Sequence, residues 1–323
     1  MRVRGSLRTV NGMKRGLCVA IGVAALAALS VSPASAKTIS GASNADAADR
    51  CDRPAAGHAR VKPGYEQLDL GTVTRAQQRA MERKFRRAMA TAQEYRGGTI
   101  RVPTRVHVIR RNNASGGVTN AQVDAQIEVL NQAFRGNSSA DAAPTPFRFV
   151  LKSVDRTNNT DWHEWTFTDD DRPAKRALHQ GGTKTLNIYT ASLRPGLFGY
   201  SFFPVPTPEF VDGVVLLNET LPGGDAAPYN LGDTAVHHVG HWLNLYHTFE
   251  NNCATPGDKV NDTPYEKYDG NPFACNEAFD SCPAKPGTDP VHNFMSYGND
   301  ACLDQFTAGQ ATRMTNAWNA LRA

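Results

Sequence analysis

The chain has 323 residues, of which 40% are hydrophobic and 20% charged, and its formal net charge is +4. This length favours about two domains, or one larger domain with short additions, and it suffices to bury a sizeable core. Residues 1–36 hold five basic and no acidic residues, so their removal lowers the net charge to −1. The near-neutral remainder argues against nucleic acid as a partner.

Residues 1–36 have the pattern of a secretory signal peptide. Basic residues precede an apolar stretch from Leu17 to about Val31, and a small-x-small cleavage site follows at 34–36. The apolar stretch is short for a membrane span, and the sequence has no second one. We therefore expect a secreted, extracellular protein without a stable membrane anchor. An uncleaved anchor is the alternative, and Met13 is a second candidate start.

Residues 37–97 are predicted to form a pro-segment. The stretch 37–60 is rich in small and polar residues, which indicates a flexible chain. Thr74 to Tyr95 favours a helix with a thin apolar stripe and a basic, solvated face. The two glycines at 97–98 indicate a linker at the end of this part.

A denser globular pattern begins at Thr99, and residues 98–323 are predicted to form the main domain. Alternating β-branched residues predict strands, and apolar residues at helical spacing predict helices. In chain order these are a strand at 100–109, a helix at 119–134, a strand at 147–154, a helix at 174–179, and strands at 186–189, 199–203 and 213–217. The sequence contains no internal repeat.

A further helix is predicted from about Leu231 to Leu243, with Asn230 as its N-cap and Asp233 in its first turn, where a carboxylate favours the helix dipole. The residues from 247 to 306 are rich in Asn, Asp, Pro and Gly. An irregular stretch of this length needs cross-links. A capping-box pattern that starts at Thr307 predicts a last helix.

The sequence has six cysteines. Cys18 belongs to the signal peptide, and four lie late in the chain: Cys253, Cys275, Cys282 and Cys302. Two disulfides among these four suit an oxidising compartment, and sequence alone allows three pairings. Cys51 is left over as an odd thiol.

The segment HHVGHWLNLYH at 237–247 indicates a metal site. His237 and His241 are four residues apart on a predicted helix, so their imidazoles project from one side within about 40° of each other. His247 joins them only if the helix ends in between, and Asn244 can end it in the left-handed conformation. Three neutral imidazoles with a fourth position open are typical of catalytic zinc. Ordinary buried histidines are the alternative, and Fe or Mn suits the ligands less well.

Together with GDKVNDTP at 257–264 and HNFMSYGNDAC at 292–302, this motif resembles the pappalysin (pregnancy-associated plasma protein A) family of metzincin metallopeptidases, in its secreted bacterial branch. The resemblance extends from about Thr99 to the C-terminus. It implies an α+β, metzincin-like zincin fold: a twisted mixed sheet with the active-site helix above a loop-rich, disulfide-linked C-terminal subdomain that ends in a helix. The zinc cleft would separate an upper half, 98–247, from a lower half, 248–323.

The resemblance also implies roles for single residues. Met295 would form an apolar base beneath the metal, and Tyr297 would stabilise the oxyanion. The strand at 213–217 would be the edge strand along which a substrate peptide binds. The disulfides would be Cys253–Cys282 and Cys275–Cys302.

Two further sites follow from the same resemblance. A structural calcium ion would be bound by Asp258, Asp262 and Thr263, with a plain Asx-rich turn as the alternative. Cys51 would act as a latency ligand that occupies the fourth zinc position, so the pro-segment would inhibit its own enzyme. An unpaired or intermolecular thiol is the alternative for Cys51.

One position departs from the family pattern, because His238 stands where the family has its general-base Glu. An imidazole can accept a proton, but its conjugate acid is disfavoured beside Zn²⁺. We therefore expect a secreted zinc metalloendopeptidase of impaired activity that acts on protein or peptide substrates. The alternative is a pseudopeptidase that keeps zinc and binds peptides, with His238 only packing near the metal. A purely structural secreted protein is a third option.

Overall fold

A computed structural model describes residues 56–65, 73–166, 171–204, 209–268 and 271–323 of the chain. The predicted signal peptide and Cys51 lie outside these residues. None of the helices in the described part is long and apolar enough to cross a membrane.

Strands and helices alternate over the first three quarters of the described chain. The strands are β1 (Ala56–Val61), β2 (Ile100–Arg110), β3 (Phe147–Asn158), β4 (Glu164–Trp165), β5 (Leu186–Leu193), β6 (Leu197–Phe202) and β7 (Val214–Leu217). The helices are α1 (Arg75–Met89), α2 (Asn120–Arg135), α3 (Thr160–His163), α4 (Asp171–Leu178), α5 (Asp233–Trp242) and α6 (Ala308–Ala317). Short 3₁₀ turns at Glu209–Val211 and Asn218–Thr220 flank β7, and a π turn, Trp318–Arg322, follows α6.

The sheet is mixed, with the strand order β1-β6-β7-β5-β2-β3. β3, β2, β5 and β7 are parallel neighbours, whereas β6 is antiparallel to β7 and β1 is antiparallel to β6. The two residues of β4 pair with the end of β5. The antiparallel strands therefore lie at one edge of a parallel sheet.

The core has two parts, one on each face of the sheet. On one face, apolar residues of α2, α5 and α6 pack against β2, β3 and β5, with Phe134, Val239 and Met314 fully buried. Aromatic residues dominate the other face, where Tyr189 and Tyr200 surround the buried Lys175–Asp171 ion pair. The sheet thus has no solvated face near α5.

The predicted elements of the main domain are present, and most extend a few residues beyond their predicted ends. The prediction of a flexible chain over residues 37–60 was wrong for the last five residues, because β1 begins at Ala56. The position of the edge strand was also wrong: β7 lies inside the sheet between β5 and β6, and β6 is the strand that pairs with β1. Local pattern did not reveal either feature, since both depend on which distant strand supplies the hydrogen bonds.

The stretch between α5 and α6 has no α-helix in its described residues and no strand beyond one bridge, Asn293–Gln305. Two disulfides cross-link it, Cys253–Cys282 and Cys275–Cys302. This is the pairing that the family resemblance implies. The predicted capping box is present: the Thr307 hydroxyl accepts from Gln310 N at 3.1 Å, and the Gln310 side chain accepts from Thr307 N.

Candidate metal centre

Helix α5 positions two of the three predicted ligands, and a carboxylate from far along the chain caps its start. Its N-cap is Gly232, so the expectation that Asn230 caps the helix was wrong. Asp300 Oδ2 instead accepts from the backbone N–H groups of Leu231, Gly232 and Asp233 at 2.8, 3.1 and 3.4 Å. A negative charge at this end stabilises the helix through its dipole and its free N–H groups.

The three histidines converge. His237 Nε2 lies 3.0 Å from His241 Nε2 and 3.1 Å from His247 Nε2, and the last two nitrogens are 3.2 Å apart. Ligand nitrogens on one tetrahedral zinc ion are about 3.3 Å apart when the Zn–N bonds are ~2.0–2.1 Å long. All three side chains are buried. The spacing therefore fits a single ion held by three Nε2 atoms.

Hydrogen bonds to backbone carbonyls fix the tautomers of two of these rings. His237 Nδ1 donates to Phe294 O at 2.7 Å, and His241 Nδ1 donates to Leu245 O at 2.8 Å. Since a carbonyl only accepts, the proton of each neutral ring is on Nδ1 and the Nε2 lone pair faces the centre. Burial lowers the pKa of His237 well below its usual value, and the neighbouring His241 and His238 lower it further. Lone pairs at 3 Å repel unless a cation lies between them, so the donor set fits a zinc ion.

The turn after α5 brings His247 back to the helix. Asn244 has a φ of 77°, the left-handed conformation expected of it. The backbone closes around it, with Asn244 N donating to His241 O at 2.8 Å and Leu245 N donating to Gly240 O at 2.9 Å.

Met295 lies directly against α5. A Cβ atom on Gly240 would come within 2.4 Å of the Met295 sulfur. The glycine in HHVGH is thus required for the close approach of the Met-containing turn to the helix, and Met295 is fully buried there.

His238 is fully buried beside the three converging rings. Its ring centroid lies 5.1 Å from that of His237 and 6.0 Å from that of His241. One ring nitrogen from each of these three residues lies within 4.8 Å of the others. On its other side the ring packs on β6, where a Cβ on Gly199 would approach it to 2.8 Å. An imidazole here is within reach of a water at the metal position, but it brings no negative charge.

Tyr297 lies beside two of the converging rings. Its ring is 4.8 Å from the His247 ring and 5.7 Å from the His237 ring, measured between centroids. Its hydroxyl donates to Ala59 O in β1 at 2.6 Å. The side chain is therefore placed to donate a hydrogen bond to a peptide carbonyl held at the metal centre.

Strand β1 lies beside the metal centre, where Ala59 O accepts from Tyr297. It runs antiparallel to β6, with Ala59 opposite Tyr200 and Arg60 opposite Gly199. A segment that precedes the predicted main domain thus pairs with β6 in the manner of an added peptide strand.

The side chain of Arg60 fills a buried pocket next to the start of α5. Its Nη1 donates to Thr234 Oγ1 at 3.0 Å and lies 3.2 Å from Asp300 Oδ1, and its Nη2 donates to Gly298 O at 2.6 Å. The Arg60 side chain is fully buried, and Asp300 is almost so. A buried guanidinium is stable only with such pairing, so the pocket is built for a basic side chain.

Comparisons with known proteins agree with this geometry. The sequence profile of the peptidase family described as pregnancy-associated plasma protein-A matches residues 199–319. An extracellular metalloprotease of Neurospora crassa is 39% identical over 232 residues, which cover 70% of this chain and 77% of that protein. One from Verticillium alfalfae is 41% identical over 230 residues, which cover 69% and 79%. The chain belongs to the pappalysin family.

Solved structures of mirolysin from Tannerella forsythia share the fold of this pappalysin chain. Mature mirolysin in complex with a cleaved peptide is 28% identical, covers 70% of this chain and 95% of its own, and has a TM-score of 0.61. A promirolysin mutant is 26% identical, covers 80% and 93%, and has a TM-score of 0.64. The predicted metzincin-like α+β class is thereby confirmed.

The segment that resembles the pappalysin calcium loop contains one buried carboxyl group. Asp258 Oδ1 accepts from Val260 N at 2.9 Å, and burial raises the pKa of Asp258 to about 7, although hydrogen bonds from Val260 and Thr263 oppose this shift. The Asp262 side chain is exposed and contacts the start of α6. Its oxygens accept from Thr307 Oγ1 at 2.8 Å and Gly309 N at 2.7 Å, at the start of α6.

The sequence analysis did not identify the residues of this pocket. Arg60 lies in a stretch read as flexible, and Asp300 lies inside the HNFMSYGNDAC segment, where it was assigned no role. The only available signal was a lone acidic residue three positions after Tyr297, which is too weak to predict a pocket.

Proposed function

We propose that this pappalysin is a secreted zinc-dependent metalloendopeptidase whose turnover is limited by the histidine at position 238. The observation that supports the proposal is the convergence of His237, His241 and His247 Nε2 within 3.0–3.2 Å of one another. Its relatives are named extracellular metalloproteases, which supports both the chemistry and the secretion that residues 1–36 predict.

The chemistry follows from the residues around the cleft. Zinc, when bound by the three histidines, supplies a Lewis acid that polarises the scissile carbonyl and activates water. Tyr297 donates a hydrogen bond to the carbonyl oxygen as negative charge develops there. β6 orients the peptide backbone, and the Asp300 pocket selects a basic side chain after the scissile bond.

His238 occupies the place from which a base takes the proton of the attacking water and passes it to the leaving amine. Its imidazole has the reach to do so. A protonated imidazole beside a divalent cation and three further rings is disfavoured, however, so His238 is a weaker base than a carboxylate. The loss of a positioned general base typically lowers the rate by ~10²–10⁴-fold.

A pseudopeptidase is the second candidate function. The absence of a carboxylate at position 238 favours it, and so does a cleft that keeps its own β1 strand. In that case the domain binds zinc and peptides without cutting them.

Metal analysis combined with digestion of casein tests the proposal. We expect the purified chain to bind one zinc ion, and we expect His238→Glu to digest casein roughly 10²–10⁴-fold faster than the chain with His238. His237→Ala in the His238→Glu background is the matched control, which should lose both zinc and activity. Full activity with His238 would defeat the impaired-base argument, and a zinc-loaded His238→Glu protein without activity would favour the pseudopeptidase.

We also propose that the chain's own pro-segment inhibits it. β1 supports this, because it occupies the strand position that a substrate needs. Cys51, eight residues before Ala59, lies outside the described residues, and its role as a fourth zinc ligand stays a prediction. Unchanged latency in Cys51→Ala would remove that role.

A structural calcium ion at Asp258 and Thr263 is a further proposal. The buried Asp258 carboxyl group beside the Thr263 hydroxyl supports it, because a hard cation prefers such oxygens. Calcium should raise the melting temperature at pH 8, and Asp258→Asn should abolish the rise. An equal rise in both proteins would contradict the site.

A further inference from the structure

The end of α5 is closed by backbone hydrogen bonds that leave two carbonyl groups for other partners. Leu245 N donates to Gly240 O, and Asn244 N donates to His241 O, which are the two bonds of a Schellman turn. Neither bond uses the carbonyls of Trp242 and Asn244. A buried carbonyl without a donor costs free energy, so the partners of these two groups affect how firmly the turn is held.

Arg322, in the π turn after α6, satisfies the first of these carbonyls. Its Nε and Nη2 donate to Trp242 O at 3.0 and 2.9 Å, and its guanidinium carbon lies 3.6 Å from the centre of the Trp242 ring. Two further bonds, at 2.8 and 3.1 Å, join the same guanidinium to the carboxylate of Asp212. The side chain is buried, so these contacts fix its orientation.

Arg313, in α6, satisfies the second carbonyl. Its Nε donates to Asn244 O at 2.8 Å, and its Nη2 forms a buried ion pair with Glu82 of α1. The guanidinium carbon also lies over the ring of Tyr246, 5.1 Å from its centre. Arg313 therefore contacts the turn at two residues, and the second of them directly precedes His247.

The turn at 243–246 decides whether the third imidazole reaches the ion. α5 by itself positions His237 and His241, whereas His247 depends on the path of the backbone after the helix. The His247 Nε2 lies 3.1 and 3.2 Å from the Nε2 atoms of the other two rings. The turn also carries Leu245 O, which accepts from His241 Nδ1. Movement of this backbone would therefore displace one ligand and release the tautomer of another.

We propose that Arg313 and Arg322 are positioning residues of the metal centre. By donating to the carbonyls of Asn244 and Trp242, they hold the turn that brings His247 to the ion. This inference rests on the proposed zinc centre. The two guanidinium groups act on the ion through the backbone and not by contact with it. Loss of groups that orient metal ligands typically weakens metal binding ~10–100-fold.

The zinc affinity of the full-length chain, measured by competition with a chelator, tests the inference. Arg313→Met keeps a side chain of similar length but cannot donate to Asn244 O, so we expect the zinc dissociation constant to rise roughly 10–100-fold. Arg313→Lys keeps the charge and a single donor group, so its dissociation constant should rise less. Arg322→Met and Arg322→Lys should follow the same order.

Asn131→Leu is the control for general loss of stability. The Asn131 side chain joins α2 to β3 through two buried hydrogen bonds with the backbone of Phe149, at 3.0 and 2.9 Å. Its replacement should lower the free energy of unfolding and leave the zinc dissociation constant unchanged. Zinc binding that weakens equally in Asn131→Leu and Arg313→Met overturns the inference.

A double variant separates positioning from stability. Glu82→Leu with Arg313→Met replaces the buried ion pair by apolar side chains, which should return much of the free energy of unfolding lost in Arg313→Met. Asn244 O still lacks its donor, so zinc binding should stay weak. A zinc dissociation constant that returns to that of the unaltered chain, or one that never changed in Arg313→Met, overturns the inference.

Cobalt gives a spectroscopic readout that does not depend on catalysis. Co²⁺ in a regular tetrahedral site absorbs visible light, and these bands weaken when a protein ligand is replaced by solvent. At full occupancy we expect weaker bands in Arg313→Met and Arg322→Met than in the unaltered chain, and unchanged bands in both overturn the inference. An unaltered chain that binds neither zinc nor cobalt instead defeats the proposed zinc centre itself, so the two failures are distinguishable.

Discussion

The two sides of the metal centre are stabilised in different ways. Above it, strands and helices from β2 to α5 satisfy their backbone groups within a regular sheet and bury a continuous apolar core. Below it, the described residues between 248 and 306 have almost no regular structure and depend on two disulfides, on buried carboxyl groups and on contacts to side chains. The upper side supplies His237 and His241, and the irregular side supplies Tyr297. The geometry of the centre therefore depends on how firmly the irregular side is held.

Removal of one disulfide is the largest change expected on the irregular side. Cys253→Ser with Cys282→Ser opens a loop of 29 residues, which should lower the free energy of unfolding by about 3–4 kcal/mol. Ile188→Val, in the centre of the sheet, is the control and should cost only about 1 kcal/mol. Denaturant unfolding measures both. Equal denaturant midpoints for the double serine variant and the unaltered chain would show that the loops are stable without this disulfide.

Glu266 is the second support of the irregular side. Its carboxyl group is buried and accepts hydrogen bonds from the hydroxyls of Thr248, next to His247, and Ser296, next to Tyr297. Burial raises the pKa of Glu266 to about 7, although the two hydroxyls oppose the shift. The carboxyl group thus links the segments that carry the third histidine and the tyrosine.

The sign of the resulting pH dependence is fixed by that shift. A folded-state pKa above the unfolded value gives stability that is present below about pH 4.5 and lost as the pH rises through about 7. Glu266→Gln cannot ionise, so it should match the unaltered chain at pH 4 and exceed it by up to about 3 kcal/mol at pH 8. Thermal unfolding at both pH values measures the difference. A variant that is less stable at pH 8 would show that the charged carboxylate is itself stabilising.

The same contrast explains what could be predicted from the sequence. The three histidines lie within eleven residues, and helix geometry alone brings two of them together, so their convergence was predictable. The pocket was not, since Arg60 and Asp300 are 240 positions apart and meet only when β1 pairs with β6. The roles of Gly199 and Gly240 were not predictable either. Each glycine acts by leaving space for a neighbouring side chain, His238 beside Gly199 and Met295 beside Gly240.

Asp262 gives the smallest effect and separates two roles for its loop. Its carboxylate accepts from Thr307 Oγ1 and Gly309 N, so it caps the first turn of α6. Asp262→Ala should therefore lower the free energy of unfolding by about 1 kcal/mol, with or without calcium. Asp262→Asn, which keeps an oxygen acceptor, should lose less. If calcium binds Asp262 directly, the free energy of unfolding lost in Asp262→Ala will instead grow with calcium concentration. Asp262 would then be a metal ligand as well as a helix cap. Because Asp258 and Asp262 flank the same turn, a calcium response lost in Asp258→Asn but kept in Asp262→Ala would assign one carboxyl group to the ion and the other to the helix.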